Sequence, residues 1–306
     1  MPFTENAAFF FDGPVQDYRG PADWKGPEYS YRLRAGGIPG TDRIIDALDS
    51  LSRHEQAPML QSLVIGKWCD FGECSSAAIV EALAQHKSRL RGLAAIFLGD
   101  ITTHEIKGTW IHNTDVSPLL YAYPNLEVLR VRGGRGLRFA CVQPHYHLRA
   151  LIIETCGMPR SVIADLYRCN FPNLVHLDLW LGAKKSGWDG SMDDLQELLD
   201  GSLFPSLKYL GLRNSEIADE IAWSIVNKPV LHRLDTLDLS NGNLSDRGGR
   251  ALWGIMWDVP LNQLILNHHY MTPKTVRTLL MELRCKVLAE DAKYSNDSQR
   301  PIFATE

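Results

Sequence analysis

The sequence predicts an α/β solenoid in which short parallel strands stack side by side and helices pack outside them. Three observations lead there. The 306 residues hold 41 leucines, but only two fall within the first fifty. The remaining leucines recur in one triplet. Apolar stripes of helical period lie between the triplets. A hydrophobic content of 45% and a charged content of 22% are globular values and exclude wholesale disorder. The length suffices to bury a large core.

The triplet is apolar-x-x-apolar-x-apolar. It occurs at Leu60, Leu63, Ile65; Leu93, Ile96, Leu98; Leu126, Leu129, Val131; and Leu148, Leu151, Ile153. It returns at Leu174, Leu177, Leu179; Leu207, Leu210, Leu212; Leu234, Leu237, Leu239; and Leu261, Leu264, Leu266. The intervals are 33, 33, 22, 26, 33, 27 and 27 residues. Their mean, about 29, sits at the long end of the leucine-rich-repeat range. Alternation within the triplet makes a short strand with one apolar face. One such strand cannot bury that face alone, so about eight parallel strands share a core. Parallel neighbours need a crossover, and helices supply it. The expected form is a leucine-rich-repeat horseshoe with the strands on its concave face and the helices outside.

Residues 1–27 read as an N-terminal coil, because Gly13-Pro14, Gly20-Pro21 and Gly26-Pro27 punctuate them. Residues 28–59 read as a cap. Tyr29, Tyr31 and Leu33 alternate as a strand, and Thr41 starts a helix with Ile44, Ile45, Leu48 and Leu51 on one face. Such a cap accounts for the leucine-poor start, since terminal repeats are atypical. The solenoid proper spans 60–288. Its helices are expected over 76–86, 160–168, 191–200, 216–227 and 273–283, with one more opening at Ser245 that turns Leu252 and Ile255 inward. Residues 285–288 add a last strand, and 289–306 form a loose polar tail.

The helix-bearing repeats, with Asn214-Ser-Glu-Ile-Ala-Asp-Glu and Asn243-Leu-Ser-Asp-Arg-Gly, resemble the ribonuclease-inhibitor-like subclass. The chain also resembles an uncharacterised bacterial family of leucine-rich-repeat proteins over roughly 60–290. Phe97-Leu-Gly-Asp-Ile, Asp115-Val-Ser-Pro-Leu-Leu, Leu129-Arg-Val-Arg-Gly-Gly, Leu177-Asp-Leu-Trp-Leu-Gly, the segment from Tyr209 to Ile221 and Leu266-Asn-His-His-Tyr carry that likeness. It implies the fold and transfers no activity or functional residue.

A net charge of −4 leaves no bulk footprint for nucleic acid. No apolar run reaches membrane-spanning length. The first residues lack the basic and hydrophobic regions of a secretory signal. Six cysteines without a CxxC pair point to the reduced cytoplasm. Strand alternation turns Arg130, Arg132, Glu154, His176, Asp178, Trp180, Tyr209, Arg213 and Asp238 onto the concave face. Arg132 and Glu154 are expected to be adjacent there. An exposed tryptophan ringed by arginines and carboxylates is the composition of a protein-binding hot spot. The leading expectation is therefore a non-enzymatic scaffold for a protein partner, of a kind and stoichiometry the sequence leaves open. The alternative is an anion, phosphate or nucleic-acid site in the arginine-glycine loop 130–138, through Arg130, Arg132, Arg135 and Arg138. The 22-residue interval leaves room there for a loop and not for a helix. No metal, cofactor or catalytic residue is expected. The ten histidines show no HExxH spacing, and Asp178 and Asp238, two strands apart, are too distant for a shared-proton pair.

Overall fold

The computed structural model describes residues 3–35, 40–69, 74–255, 259–293 and 300–304. The chain packs as two compact units, Met1–Ile153 with Arg168–Pro172, and Glu154–Tyr167 with Asn173–Thr305. The division falls inside the stretch read as one solenoid. Both units are α/β stacks of leucine-rich repeats.

The first unit carries β1 (Phe9–Phe10), β2 (Gly13–Asp17), β3 (Ser30–Leu33), α1 (Gly40–Ser52), β4 (Ser62–Ile65) and α2 (Ala77–Gln85). β5 (Ala95–Leu98), α3 (Ser117–Ala122), β6 (Val128–Arg132) and most of β7 (Ala150–Glu154) follow. β2 to β6 pair in parallel and in chain order, while β1 is antiparallel to β2. The register aligns Tyr31, Leu63, Ile96 and Leu129 in one row, each fully buried. Residues 1–27 are thus not plain coil. Val15 pairs with Ser30 and Phe9 with Pro14, so two strands precede the expected cap. Gly13-Pro14 opens β2, while Gly20-Pro21 starts a 3-10 turn and Gly26-Pro27 lies in the connection to β3. In α1 the buried stripe is Ile44, Ala47, Leu48 and Leu51, and Ile45 is only half-buried.

The second unit carries α4 (Arg160–Leu166), β8 (His176–Gly182), α5 (Met192–Leu199), β9 (Tyr209–Ser215) and α6 (Ala218–Ile225). β10 (Thr236–Asp238), α7 (Asp246–Leu252), β11 (Gln263–Ile265), α8 (Pro273–Glu282) and β12 (Lys286–Leu288) complete it. β8 to β12 are parallel, and Leu177, Leu210, Leu237, Leu264 and Val287 form the core row. Ser191 and Ser245 start helices where the sequence places them, whereas Thr41, expected to start α1, is its second residue. Ser191 and Asp194 make a reciprocal capping box on α5, and Ser245 accepts from the Arg247 N–H on α7. Leu252 is buried as expected, while the Ile255 side chain lies outside the described ones. Residues 289–306 are not simply a loose tail. Within them, Ile302 and Ala304 are buried, and 294–299 and 305–306 lie outside the described residues.

Candidate functional site

In each unit, the residues between the core leucines look out of the strand face opposite the helices. The second unit has the richer chemistry there. Parallel register lines up His176, Tyr209, Thr236, Gln263 and Lys286 in one outward row. Asp178, Gly211, Asp238, Ile265 and Leu288 form the next. Trp180 and Arg213 stand opposite each other one step further along.

Arg213 organises this cluster. Its Nη1 reaches Asp178 Oδ2 at 3.0 Å, and its Nε lies 3.0 Å from Ser240 Oγ and 3.3 Å from Asp238. Its guanidinium lies over the Trp180 ring at 4.8 Å. Tyr209 donates its hydroxyl hydrogen to Asp238 at 2.7 Å and stacks on His176 at 3.9 Å. Gly211 makes this possible, because a Cβ there would come within 2.6 Å of Asp178 Oδ1. That oxygen is buried and accepts no hydrogen bond among the described residues.

The electrostatics follow from two carboxylates, Asp178 and Asp238, at one guanidinium, with Glu154 close enough to act on Asp178. Burial pushes the Asp178 carboxyl up to about 6, and the charges on Asp238 and Glu154 add to that against the pull of Arg213. Burial and then Arg213 push His176 down to about 4, so it is a neutral ring at pH 7. Burial, then the two aspartates, raise the Tyr209 hydroxyl. Burial works against the charge on Arg213, but the aspartates outweigh it and hold its pKa up.

Asp178 gives a pH-dependent prediction. Its folded-state pKa lies above the unfolded value of 3.8. Its contribution to stability is therefore complete below pH 3.8 and is lost as pH rises through about 6. His176 acts oppositely, losing stability as pH falls from 6.5 through about 4. The difference between wild type and Asp178→Asn isolates the aspartate. The variant is expected to gain about 2–3 kcal/mol on the wild type between pH 4 and pH 7. Urea unfolding at pH 4, 5.5 and 7 checks this, and parallel pH profiles would contradict it.

Trp180 is not an open anchor. It is only 7% exposed, lying under Arg213 and beside Phe303, whose ring centroid is 6.4 Å away. Residues 300–304 run across the strand ends here. Phe303 N–H donates to the Asn241 carbonyl at 2.9 Å, and Tyr270 Oη donates to the Pro301 carbonyl at 2.7 Å. Asn214 grips the main chain of Ala304 twice, accepting from its N–H at 2.7 Å and donating to its carbonyl at 2.9 Å. Asn214, Asn241 and His268 all have positive φ, at 50, 67 and 57°. They sit 27 residues apart, each the seventh residue after the first leucine of its repeat. Asn and His tolerate that backbone better than most residues. This row escaped the sequence reading, although its recurrence at the repeat period was the available signal.

The first unit differs. Its outward row is Arg32, Val64, Phe97 and Arg130. Phe10 joins Val64, Ala95 and Phe97 in an apolar cluster, with Ala7, Phe11, Val15 and Val128 against it. Residues 3–11 thus cover this strand face. Asp100 anchors them by accepting from the Ala7 N–H at 3.1 Å and from Arg32 at 3.0 Å.

Of the four arginines of the loop, Arg130 and Arg132 share the Phe97 ring, at 4.3 and 5.2 Å. Arg130 lies over Phe97, and Arg132 is buried over Phe3 and donates to the Ile101 carbonyl. Arg135 and Arg138 are exposed, on separate bridges to His112 and Asp115. Gly133 and Gly136 take positive φ where a Cβ would strike Ile111 and His112, so the glycines shape a close-packed turn. Of the four arginines expected to bind an anion, Arg132 is thus buried while Arg135 and Arg138 are exposed. Of the residues expected on the strand face, Arg130 and Arg132 belong to the first unit, and Glu154, His176, Asp178, Trp180, Tyr209, Arg213 and Asp238 to the second.

Among the described residues, no cluster of three or more His, Cys, Asp or Glu side chains could hold a metal ion. No described helix is long and apolar enough to cross a membrane. No protein-family model and no curated protein matches the chain. Among solved structures, it is similar to a protein of Bacteroides fragilis, with 26% identity and a TM-score of 0.78. That likeness covers 91% of this chain and 78% of the other. It is also similar to an internalin of Listeria monocytogenes, with 14% identity and a TM-score of 0.36, covering 79% of this chain and 57% of that one. The first likeness is one of fold across nearly the whole chain, and the second adds nothing to it.

Proposed function

We propose that the protein is a non-enzymatic interaction scaffold that binds another polypeptide on the strand face of its second unit. The observation that carries this reading is the main-chain grip of Asn214 on Ala304 at the end of that face, since a surface that holds one extended polypeptide suits another. The composition supports it, because Tyr209, Arg213 and Trp180 belong to the residue types that anchor interfaces. The carboxylates argue against acid–base catalysis. Asp178 and Asp238 both pair with Arg213, and Ser240 faces that guanidinium, not a base. The helix-bearing 27-residue repeats favour the ribonuclease-inhibitor-like subclass. Six cysteines without CxxC spacing favour the cytoplasm. The partner is a protein and not nucleic acid, given the net charge of −4.

Half-buried Ile265 lies on the outward face beside Leu288, and an arginine there can extend its charge into solvent. Ile265→Arg is expected to keep the wild-type melting profile and to lose the polypeptides that the wild-type protein retains in parallel affinity capture. The same polypeptides on both baits would count against the strand face.

A further inference from the structure

Three turn residues of the second unit share one backbone conformation and one spacing, and all three meet the same segment. Asn214 holds the main chain of Ala304, the Asn241 carbonyl takes the Phe303 N–H, and the His268 ring meets the Phe303 ring edge-on at 5.4 Å. The repeat thus builds a groove across the ends of β9, β10 and β11. Trp180 and His268 both meet the Phe303 ring there, beside the polar contacts of Asn214 and Asn241.

We infer that this groove is a recognition site for an extended segment of a partner protein carrying an aromatic residue followed by a small one. Residues 301–304 occupy it in cis and hold it closed. The inference rests on the scaffold reading above and specifies its ligand.

The chemistry sets the preference. The aromatic side chain, half-buried, packs edge-on against Trp180 and His268. The next residue is gripped by both its N–H and its carbonyl, and Ala304 is fully enclosed. A larger side chain there would clash. Main-chain hydrogen bonds supply sequence-independent affinity, while the two side-chain positions supply selectivity. Occupation in cis sets the threshold. A tethered segment acts at an effective concentration on the order of millimolar, so a free peptide far below that level cannot displace it.

The test uses the full-length chain as wild type, Phe303→Ala and Ala304→Arg. The first variant removes the ring that meets Trp180 and His268, and the second expels the enclosed alanine while leaving every groove residue in place. The probe is a fluorescein-labelled, end-capped peptide with the sequence of residues 300–304, followed by anisotropy. Both variants are expected to bind it at least roughly tenfold more tightly than wild type. The same peptide with alanine for its phenylalanine should bind them roughly tenfold more weakly. Cooperative melting of each variant verifies the fold, and two variants guard against one failing to fold.

Folded variants that ignore the peptide would overturn the inference. So would equal binding of both peptides. A concentration-dependent wild-type dimer that disappears in Phe303→Ala would also overturn it, assigning the groove to exchange between copies. These outcomes are separable from the scaffold reading. A protein that loses its captured partner on Ile265→Arg yet ignores the peptide keeps that reading and loses this one.

Discussion

Arg213→Ala is expected to destabilise the second unit by about 3–5 kcal/mol, because it strands buried carboxylates. Asp178 and Asp238 are 5% and 3% exposed, and both lie within 3.3 Å of the guanidinium. Removing one partner of a buried pair forfeits its attraction and leaves the desolvation cost of the other in place. Here two aspartates lose the same partner, and Trp180 loses the cation over its ring. The melting temperature should fall by roughly 10 °C at neutral pH. Asp178 should then take a proton more readily, so acidification to pH 5 should restore part of the loss. Adding Asp178→Asn to the variant should restore part of it at neutral pH, since the amide carries no stranded charge. Thermal unfolding of the two single variants and the double variant at pH 5 and pH 7.5 measures all of this. A loss below about 1 kcal/mol would mean that the cluster is a solvated surface pair. Arg213→Lys is expected to fall between, because a single ammonium cannot span both aspartates as the fork does.

Gly182→Ala should be comparably damaging for a different reason. Gly182 ends β8 with φ of 85°, and a Cβ there would overlap the Cys156 carbonyl. The backbones cannot separate cheaply. Ala183 N–H donates to that carbonyl at 2.9 Å, and Met158 N–H donates to the Leu181 carbonyl at 2.7 Å. An L-residue at positive φ costs about 1–2 kcal/mol, and forced overlap against fixed backbone adds about 1–3 kcal/mol. A total of about 3 kcal/mol or more is expected, read as a shift of the urea midpoint. Gly20→Ala, where an added Cβ meets nothing within 4 Å and φ is extended, is the control and should change little.

Much of this was legible in one dimension. The triplet Leu207, Leu210, Leu212 and its seven counterparts announce strands, because a period of two with two-residue spacers leaves no other way to bury three apolar side chains. Ser191 and Ser245 announce helix starts, because a hydroxyl three residues or fewer ahead of orphan N–H groups satisfies them. The outward rows were legible too, since the residues between leucines must face away from the core. Whether those rows meet water was not. Val64 and Phe97 face outward yet are completely buried, because Phe10 and Ala7 lie over them. Trp180 faces outward yet is covered by Arg213 and Phe303. Alternation reports which side of a strand a residue takes and says nothing about a segment arriving from 123 residues away.

By itself, then, the sequence determined the repeat, the strands, most helices and the outward-facing residues, since each follows from local periodicity and capping chemistry. Only the tertiary structure decided that residues 3–11 cover the strand face of the first unit and that residues 300–304 cross the strand ends of the second. It also decided that Arg213 gathers Asp178 and Asp238 across Gly211, and that Asn214, Asn241 and His268 align. Those features depend on contacts between residues far apart in the chain, and pair interactions of that range leave no period for a sequence to display.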